Sequence, residues 1–193
     1  MLDDLDSTLK QWLIHELPDL QRSAETTVTI SFDVPVESAI TQKPAINLFL
    51  YDIRENLELR NSERTVQRNH NGTATRQRSP ARIDCSYLIT AWVNSDDPQQ
   101  EHHILGAVMK LLLRDRTLPE PVLQGSLRGQ IPFPVSIGLR SSYLQSLGEF
   151  WQAIGGKPKA VLHYTVTIAV PVDGPEIEVP LVLEKHLGID RSL

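Results

Sequence analysis

Disulfide-forming cysteines, membrane-length apolar runs and a basic surplus are all missing from this chain. Cys85 is the one cysteine in 193 residues, so no internal disulfide can form and nothing asks for an oxidising compartment. No apolar run approaches the roughly 18 residues of a membrane-spanning helix. With 19 basic and 24 acidic side chains the net charge is −5, which favours solubility and gives no overall pull toward nucleic acid or membrane. The opening stretch MLDDLDSTLKQWL is acidic where a secretory signal would be basic, and it lacks an unbroken apolar core.

Catalytic signatures are missing as well. There is no GxSxG elbow for a nucleophilic serine and no GxGxxG. Gly125 and Gly129 in GSLRG lack the Lys-Ser/Thr of a phosphate loop. His102 and His103 are adjacent on a helix, so they point about 100° apart and cannot share a metal as an i, i+4 pair would. His15 sits at the end of a helix, where the dipole explains it. Cys85 alternates with Ile83 and Tyr87 on a strand and reads as a small buried hydrophobe. The pairs Asp3-Asp4 and Asp96-Asp97 fall at helix starts, where capping explains them. The expectation by elimination is a protein with no catalytic residue, no metal site and no cofactor, although a site assembled from distant residues would leave no motif.

What is present is a core and a clear succession of elements. Hydrophobic residues make up 40% of the chain and charged residues 22%, an ordinary mix for one globular domain. Leu2, Leu5, Leu9, Trp12, Leu13 and Leu17 recur at threes and fours, predicting a helix over 2–17 that Pro18 ends. Thr26 to Val34 alternates, with Val28, Ile30, Phe32 and Val34 on one face, as a half-buried strand does. Ala45 to Ile53 is apolar on both faces, as a central strand is. Arg82 to Asn94 puts Ile83, Cys85, Tyr87, Ile89, Ala91 and Val93 on a shared face. Asp97 then caps a helix with Pro98 at its first position, running to about Arg114. Its stripe is Ile104, Leu105, Val108, Met109 and Leu112.

Residues 115–132 read as a crossing loop and 134–140 as a short strand. The next helix, capped by Ser141 or Ser142, uses Tyr143, Leu144, Leu147, Phe150, Trp151 and Ile154, and Gly155-Gly156 supplies its left-handed stop. In the strand Lys159 to Val170, Ala160, Leu162, Tyr164, Val166, Ile168 and Val170 face inward and His163, Thr165 and Thr167 outward. Consecutive strands with little between them imply hairpins. The fold class is therefore α+β: a mixed, largely antiparallel four- to five-stranded sheet packed with about three helices.

Two segments stand out by charge. Residues 60–80 lack periodicity and read as a long loop or mobile hairpin tip. They carry Arg60, Arg64, Arg68, Arg76 and Arg78 against Glu63 alone, five minus one, a net +4. Such a segment is either a solvated loop or an electrostatic arm for an acidic partner. Nucleic acid is disfavoured, because no aromatic residue lies there to stack on bases. Residues 172–193 hold five acidic side chains against Lys185 and Arg191, a net −3. They read as an extension that adds one strand, Ile177 to Leu183, or docks on a neighbour.

In wording as well as pattern, several segments resemble one family. They are NLFLYDIRENLELRN (47–61), SPARIDCSYLITAWV (79–93), HHILGAVMKLLL (102–113) and LGEFWQAIGGKPKAVLHYTVTI (147–168). With the acidic, Leu-rich first helix, they resemble the tail-terminator (cap) proteins of extracellular contractile injection systems, the phage-tail-like particles some bacteria build. The resemblance spans roughly residues 2–171. It implies a tail-terminator-like domain over 1–171 with an acidic extension over 172–193. It also implies a structural cap whose hexameric ring ends the inner tube and sheath and anchors the sheath. The implied partners are further copies of the chain, inner-tube protein and sheath protein, with no nucleic acid and no membrane insertion. The implied location is the cytoplasm during assembly, then the particle. On this reading the arginines at 60, 64, 68, 76 and 78 contact tube or sheath, and the extension packs on a neighbouring subunit or on sheath. The competing readings are a free-standing protein-binding or scaffold domain, a baseplate- or spike-end adaptor of the same particle, and a hydrolase with a cryptic site.

Overall fold

A computed structural model describes residues 1–18, 27–60, 64–68, 73–94, 97–115, 117–129, 135–136, 146–172 and 177–180. In chain order the elements are α1 (Leu2–Glu16), β1 (Thr29–Ser31), β2 (Ala45–Glu55), β3 (Arg64–Arg68), β4 (Thr73–Arg78), β5 (Ala81–Trp92), α2 (Pro98–Arg114), two 3₁₀ turns (Glu120–Val122 and Gly125–Leu127), β6 (Val135–Ser136), α3 (Leu147–Ala153), β7 (Leu162–Val170) and β8 (Ile177–Pro180). The large sheet runs β1-β2-β5-β7-β6. β1 pairs parallel with β2, and every other pair is antiparallel. With three helices beside it among the described residues, this is the α+β architecture expected from the sequence.

The helix starts and stops follow local chemistry. The Asp97 carboxylate accepts the Gln99 N–H at 2.9 Å, satisfying one of the orphan donors of α2, and Pro98 opens the helix. α3 begins at Ser146, whose hydroxyl accepts the Glu149 N–H at 3.2 Å. Ser141 and Ser142, the caps expected from the sequence, lie outside the described residues. At its far end Gly155 takes φ +68°. Gly155 N–H reaches Gln152 O and Gly156 N–H reaches Trp151 O at 3.1 and 2.9 Å, the two bonds of a Schellman stop.

The main core lies between the large sheet and α1, α2 and the 3₁₀ turns. Leu5, Leu9, Trp12 and Leu13 of α1 meet Tyr87 and Ile89 of β5 and Tyr164 and Val166 of β7 there. α2 contributes Ile104, Leu105, Val108, Leu111 and Leu112. Leu111 takes the buried place expected for Met109, which is half-buried. Each fully buried Leu or Ile contributes about 1.5–3 kcal/mol relative to exposure. α1 is also fixed by polar contacts to the 3₁₀ turns. Asp4 accepts Ser126 N–H at 3.0 Å and Ser126 O–H at 2.7 Å, and Thr8 Oγ accepts Gln124 N–H at 2.9 Å. Gly125, at φ +50°, leaves room for this: a Cβ there would fall 1.9 Å from an Asp4 oxygen.

The opposite face of the sheet is covered too. Phe150 of α3 packs on Phe49 of β2 with ring centroids 6.1 Å apart. Ile40, Ala45 and Trp92 form a second small cluster, and Lys159 Nζ sits 4.0 Å from the centre of a Trp92 ring. His163, expected to face outward, is buried on this face, and Thr167, also expected outward, is buried with its hydroxyl on Asp84. Strand β1 is shorter than the expected 26–34. Ser31 O–H bonds the Asp33 carboxylate at 2.5 Å, and Asp33 O accepts from the Asn47 side chain at 3.0 Å, so local bonds replace ladder pairing before Pro35.

Candidate functional site

A second sheet, β3-β4-β8, repeats the strand order of β2-β5-β7. β2 leads into β3, β4 into β5, and β7 into β8. The chain from β2 to β5 is thus one long interrupted hairpin, with β7 and β8 running beside it. The segment read as a long loop or hairpin tip forms the β3–β4 hairpin, and β8 joins it as the third strand of this arm. Residues 61–63 and 69–72 of that segment lie outside the described residues. At about 3.3 Å per residue, strands of five or six residues make an arm about 17–20 Å long. The interruption is unequal: residues 56–63 separate β2 from β3, while only Ser79 and Pro80 separate β4 from β5. Pro80 has no N–H to offer a ladder.

Asn56 holds this elbow. Its N–H bonds Arg82 O at 2.8 Å, extending the β2–β5 pairing. Its side-chain NH₂ donates to the two Asp84 oxygens at 3.1 and 3.0 Å, and its side-chain oxygen accepts the Leu59 N–H at 3.0 Å. Thr167 O–H donates to the same Asp84 at 2.6 Å. One carboxylate therefore ties together the end of β2, β5 and β7 where the arm leaves the sheet. Arg60 Nε lies 3.2 Å from Glu55 across the turn, an exposed pair of the kind that contributes about 0–1 kcal/mol.

The register orders the arginines. Arg64 pairs with Arg78, Val66 with Arg76, and Arg68 with Ala74. Alternation puts positions 64, 66, 68, 74, 76 and 78 on one side of the ribbon, so four of the five expected partner-binding residues share it. Arg60 stands apart, at the elbow. Arg64 and Arg78 are direct cross-strand neighbours, an arrangement that like charge destabilises. β8, drawn from the acidic extension, pairs antiparallel with β4, setting Glu178 opposite Thr75 and Ile177 opposite Arg76. The strand expected over Ile177 to Leu183 thus joins this chain's own arm over Ile177–Pro180; residues 181–193 lie outside the described residues. Sequence reasoning missed Asn56, Asp84 and Thr167. Asn56 was legible as a turn-forming residue just beyond a strand, but its partners are distant in sequence.

The residues considered for chemistry lie elsewhere. His15, His102 and His103 are exposed on helices. Cys85 is fully buried, and burial with Asp84 and Asp6 nearby pushes its thiol up to about 12. Among the described residues no three His, Cys, Asp or Glu side chains gather as metal ligands would. A cavity of about 270 Å³ lies between β1 and residues 39–42, with Asp33 the only carboxylate among its lining residues. No helix among the described residues is long and apolar enough to cross a membrane.

Residues 4–184 match the family model of the Pvc16 N-terminal domain. The chain belongs to that family. Among solved structures it is similar to the sheath/tube terminator of PVC, an extracellular contractile injection system, in its extended state. That likeness has a TM-score of 0.71 at 24% identity, covering 100% of this chain and 64% of the other. It is also similar to the tube terminating cap of the anti-feeding prophage, with a TM-score of 0.62 at 24% identity, covering 98% and 61% of the two chains. The chain spans less than two thirds of the length of each of those relatives. No curated protein matches it.

Proposed function

We propose that this chain is the structural cap of a contractile injection system, a ring of identical subunits that ends inner-tube and sheath growth. The observation that carries the reading is the family match over residues 4–184, in a fold shared with two terminators of such particles. The ring is hexameric, sits on the last tube layer, touches the last sheath layer and anchors the sheath during contraction. Its partners are its own copies, tube protein and sheath protein; it has no enzymatic activity and no cofactor. Residues 1–171 form the terminator-like domain and 172–193 its acidic extension, part of which completes the arm. Arg60, Arg64, Arg68, Arg76 and Arg78 form the partner-binding surface. Assembly takes place in the cytoplasm, and the protein then remains in the particle.

The physical logic is that of a polymer end. Tube and sheath grow because each ring offers the next a complementary surface, so a terminator matches that surface on one side and offers no copy of it on the other. The test is to mix the purified chain with tube protein from the same operon and image tube ends by negative stain. Rings on one end, with tube growth halted, are the expected result. Binding at the baseplate end would favour the adaptor, and no tube affinity would favour a free-standing binding domain.

A further inference from the structure

Charge is divided unevenly along this chain. The arm, residues 60–80 together with Glu178 of β8, carries +3, whereas the body over 1–59 and 81–171 carries −6. The register also sets position 64 directly opposite position 78. Next to these charges lies apolar surface. Nine large hydrophobic residues are exposed among the described residues, and four of them, Ile53, Leu57, Leu59 and Val172, lie at the elbow where β2 and β7 give way to the arm. Leu57 is 68% exposed on a turn that Asn56 holds rigid. A rigid turn that presents leucines beside a basic ribbon has the composition of an interface, with an apolar centre and a charged flank.

We infer that the arm and elbow of one copy dock on the acidic body of a second copy, head to tail, and that this is the contact which closes the ring; the inference rests on the ring reading above. The occupant follows from charge. An arm meeting an arm would set +3 against +3, whereas an arm meeting a body sets +3 against −6. The contact is therefore heterologous, joining unlike surfaces, and contacts of that kind close into rings when the rotation allows. Charged flanks of this sort set encounter rate and register, while the elbow leucines supply the desolvated area.

The experiment is sedimentation velocity on the full chain across a concentration series at low and high salt. It compares wild type, the reversal R64E/R68E/R76E, the charge-preserving R64K/R68K/R76K and the elbow variant L57S/L59S, each with a thermal melt to confirm folding. The expected result is self-association of wild type that weakens with salt, survives in the lysine variant and is lost in the reversal and elbow variants. The reversal variant keeps its body, so it still binds a wild-type copy, which a two-fold contact through the arm would forbid. Three results overturn the inference: a wild type that stays monomeric throughout, a reversal variant that self-associates like wild type, and a reversal variant that keeps self-association while losing tube binding, which would give the arm to tube or sheath. Tube-end capping by wild type is scored separately, so loss of the cap reading and loss of this contact register as different outcomes.

Discussion

Replacing Asn56 with alanine tests whether the elbow is held as the geometry indicates. The substitution removes one hydrogen bond to a charged acceptor, Asp84, and one neutral bond from the Leu59 N–H. Bonds to charged groups contribute about 1.5–3 kcal/mol and neutral ones about 0.5–1.5. The elbow is only part-buried, so water recovers some of this, and the lower ends apply, for a loss of about 2 kcal/mol. Asp84 keeps Thr167 at 2.6 Å, so the sheet itself stays paired. Urea unfolding reads the global loss, and hydrogen exchange at the Leu59 amide reads the local one, because that N–H loses its partner outright. Asn56→Asp separates the two bonds. It keeps the acceptor for Leu59 but sets a second carboxylate about 3 Å from Asp84 by the spacing of the lost bond. Two carboxylates so close raise the pKa of one of them. A group whose folded pKa is raised loses its stabilising contribution as pH rises through that value, so this variant gains stability relative to wild type as pH falls toward 4. A global change below about 0.5 kcal/mol for Asn56→Ala, within the range of featureless surface substitutions, together with unchanged exchange at Leu59, would refute the elbow as described.

Three further outcomes follow from other parts of the fold. Cys85, buried with its thiol pushed up to about 12, stays unreactive toward a disulfide reagent at pH 8 in the native protein and reacts at once in denaturant. Gly155→Ala costs about 1–2 kcal/mol of stability, because a side chain is forced into the left-handed region of φ, whereas Gly156→Ala adds a clash with the Trp151 ring, 2.9 Å from the new Cβ; thermal melts of the pair distinguish the two costs. Asp4, held at about 2 chiefly by the Ser126 hydroxyl and N–H, contributes stability that is present above its ordinary value of 3.8 and is lost as pH falls toward 2, so Asp4→Asn flattens the acid limb of the stability curve over that window.

Local grammar made part of this fold legible. Asp97-Pro98 and Gly155-Gly156 mark helix ends through bonds that need only neighbours in sequence. The alternation in β5 and β7 needs only one buried face. The misreadings come from long-range facts. His163 and Thr167 look outward by alternation, and period 2 cannot say that Tyr51 and Asp84 meet them on that face. The arm segments RTVQR and TATRQR carry β-branched residues but no alternating apolar face, so they read as a loop or hairpin tip, and only the hairpin half of that reading matches the pairing. What makes them strands is their pairing with each other, together with a third strand recruited from about a hundred residues away. The five arginines were visible as composition, while the placing of four of them on one side of a ribbon depended on register.

The same register explains why contact would concentrate on the arm. Sheet edges are the usual templates for adding another chain, and proteins blunt them by keeping them short. Here the large sheet ends in β1, three residues long, and in β6, two residues long among the described residues. Neither offers much ladder to a neighbour. The arm differs: β3 is an edge strand of five residues, and the ribbon bears a concentrated charge beside an apolar elbow. On the ring reading proposed above, a body with blunt edges and one charged limb would join copies at a defined place and leave little for a further layer to copy. A polymer end needs that asymmetry. Lengthening β1 by replacing Pro35 and Asp33 with β-branched residues would erode it, and light scattering should show the resulting protein forming larger, open-ended assemblies than wild type.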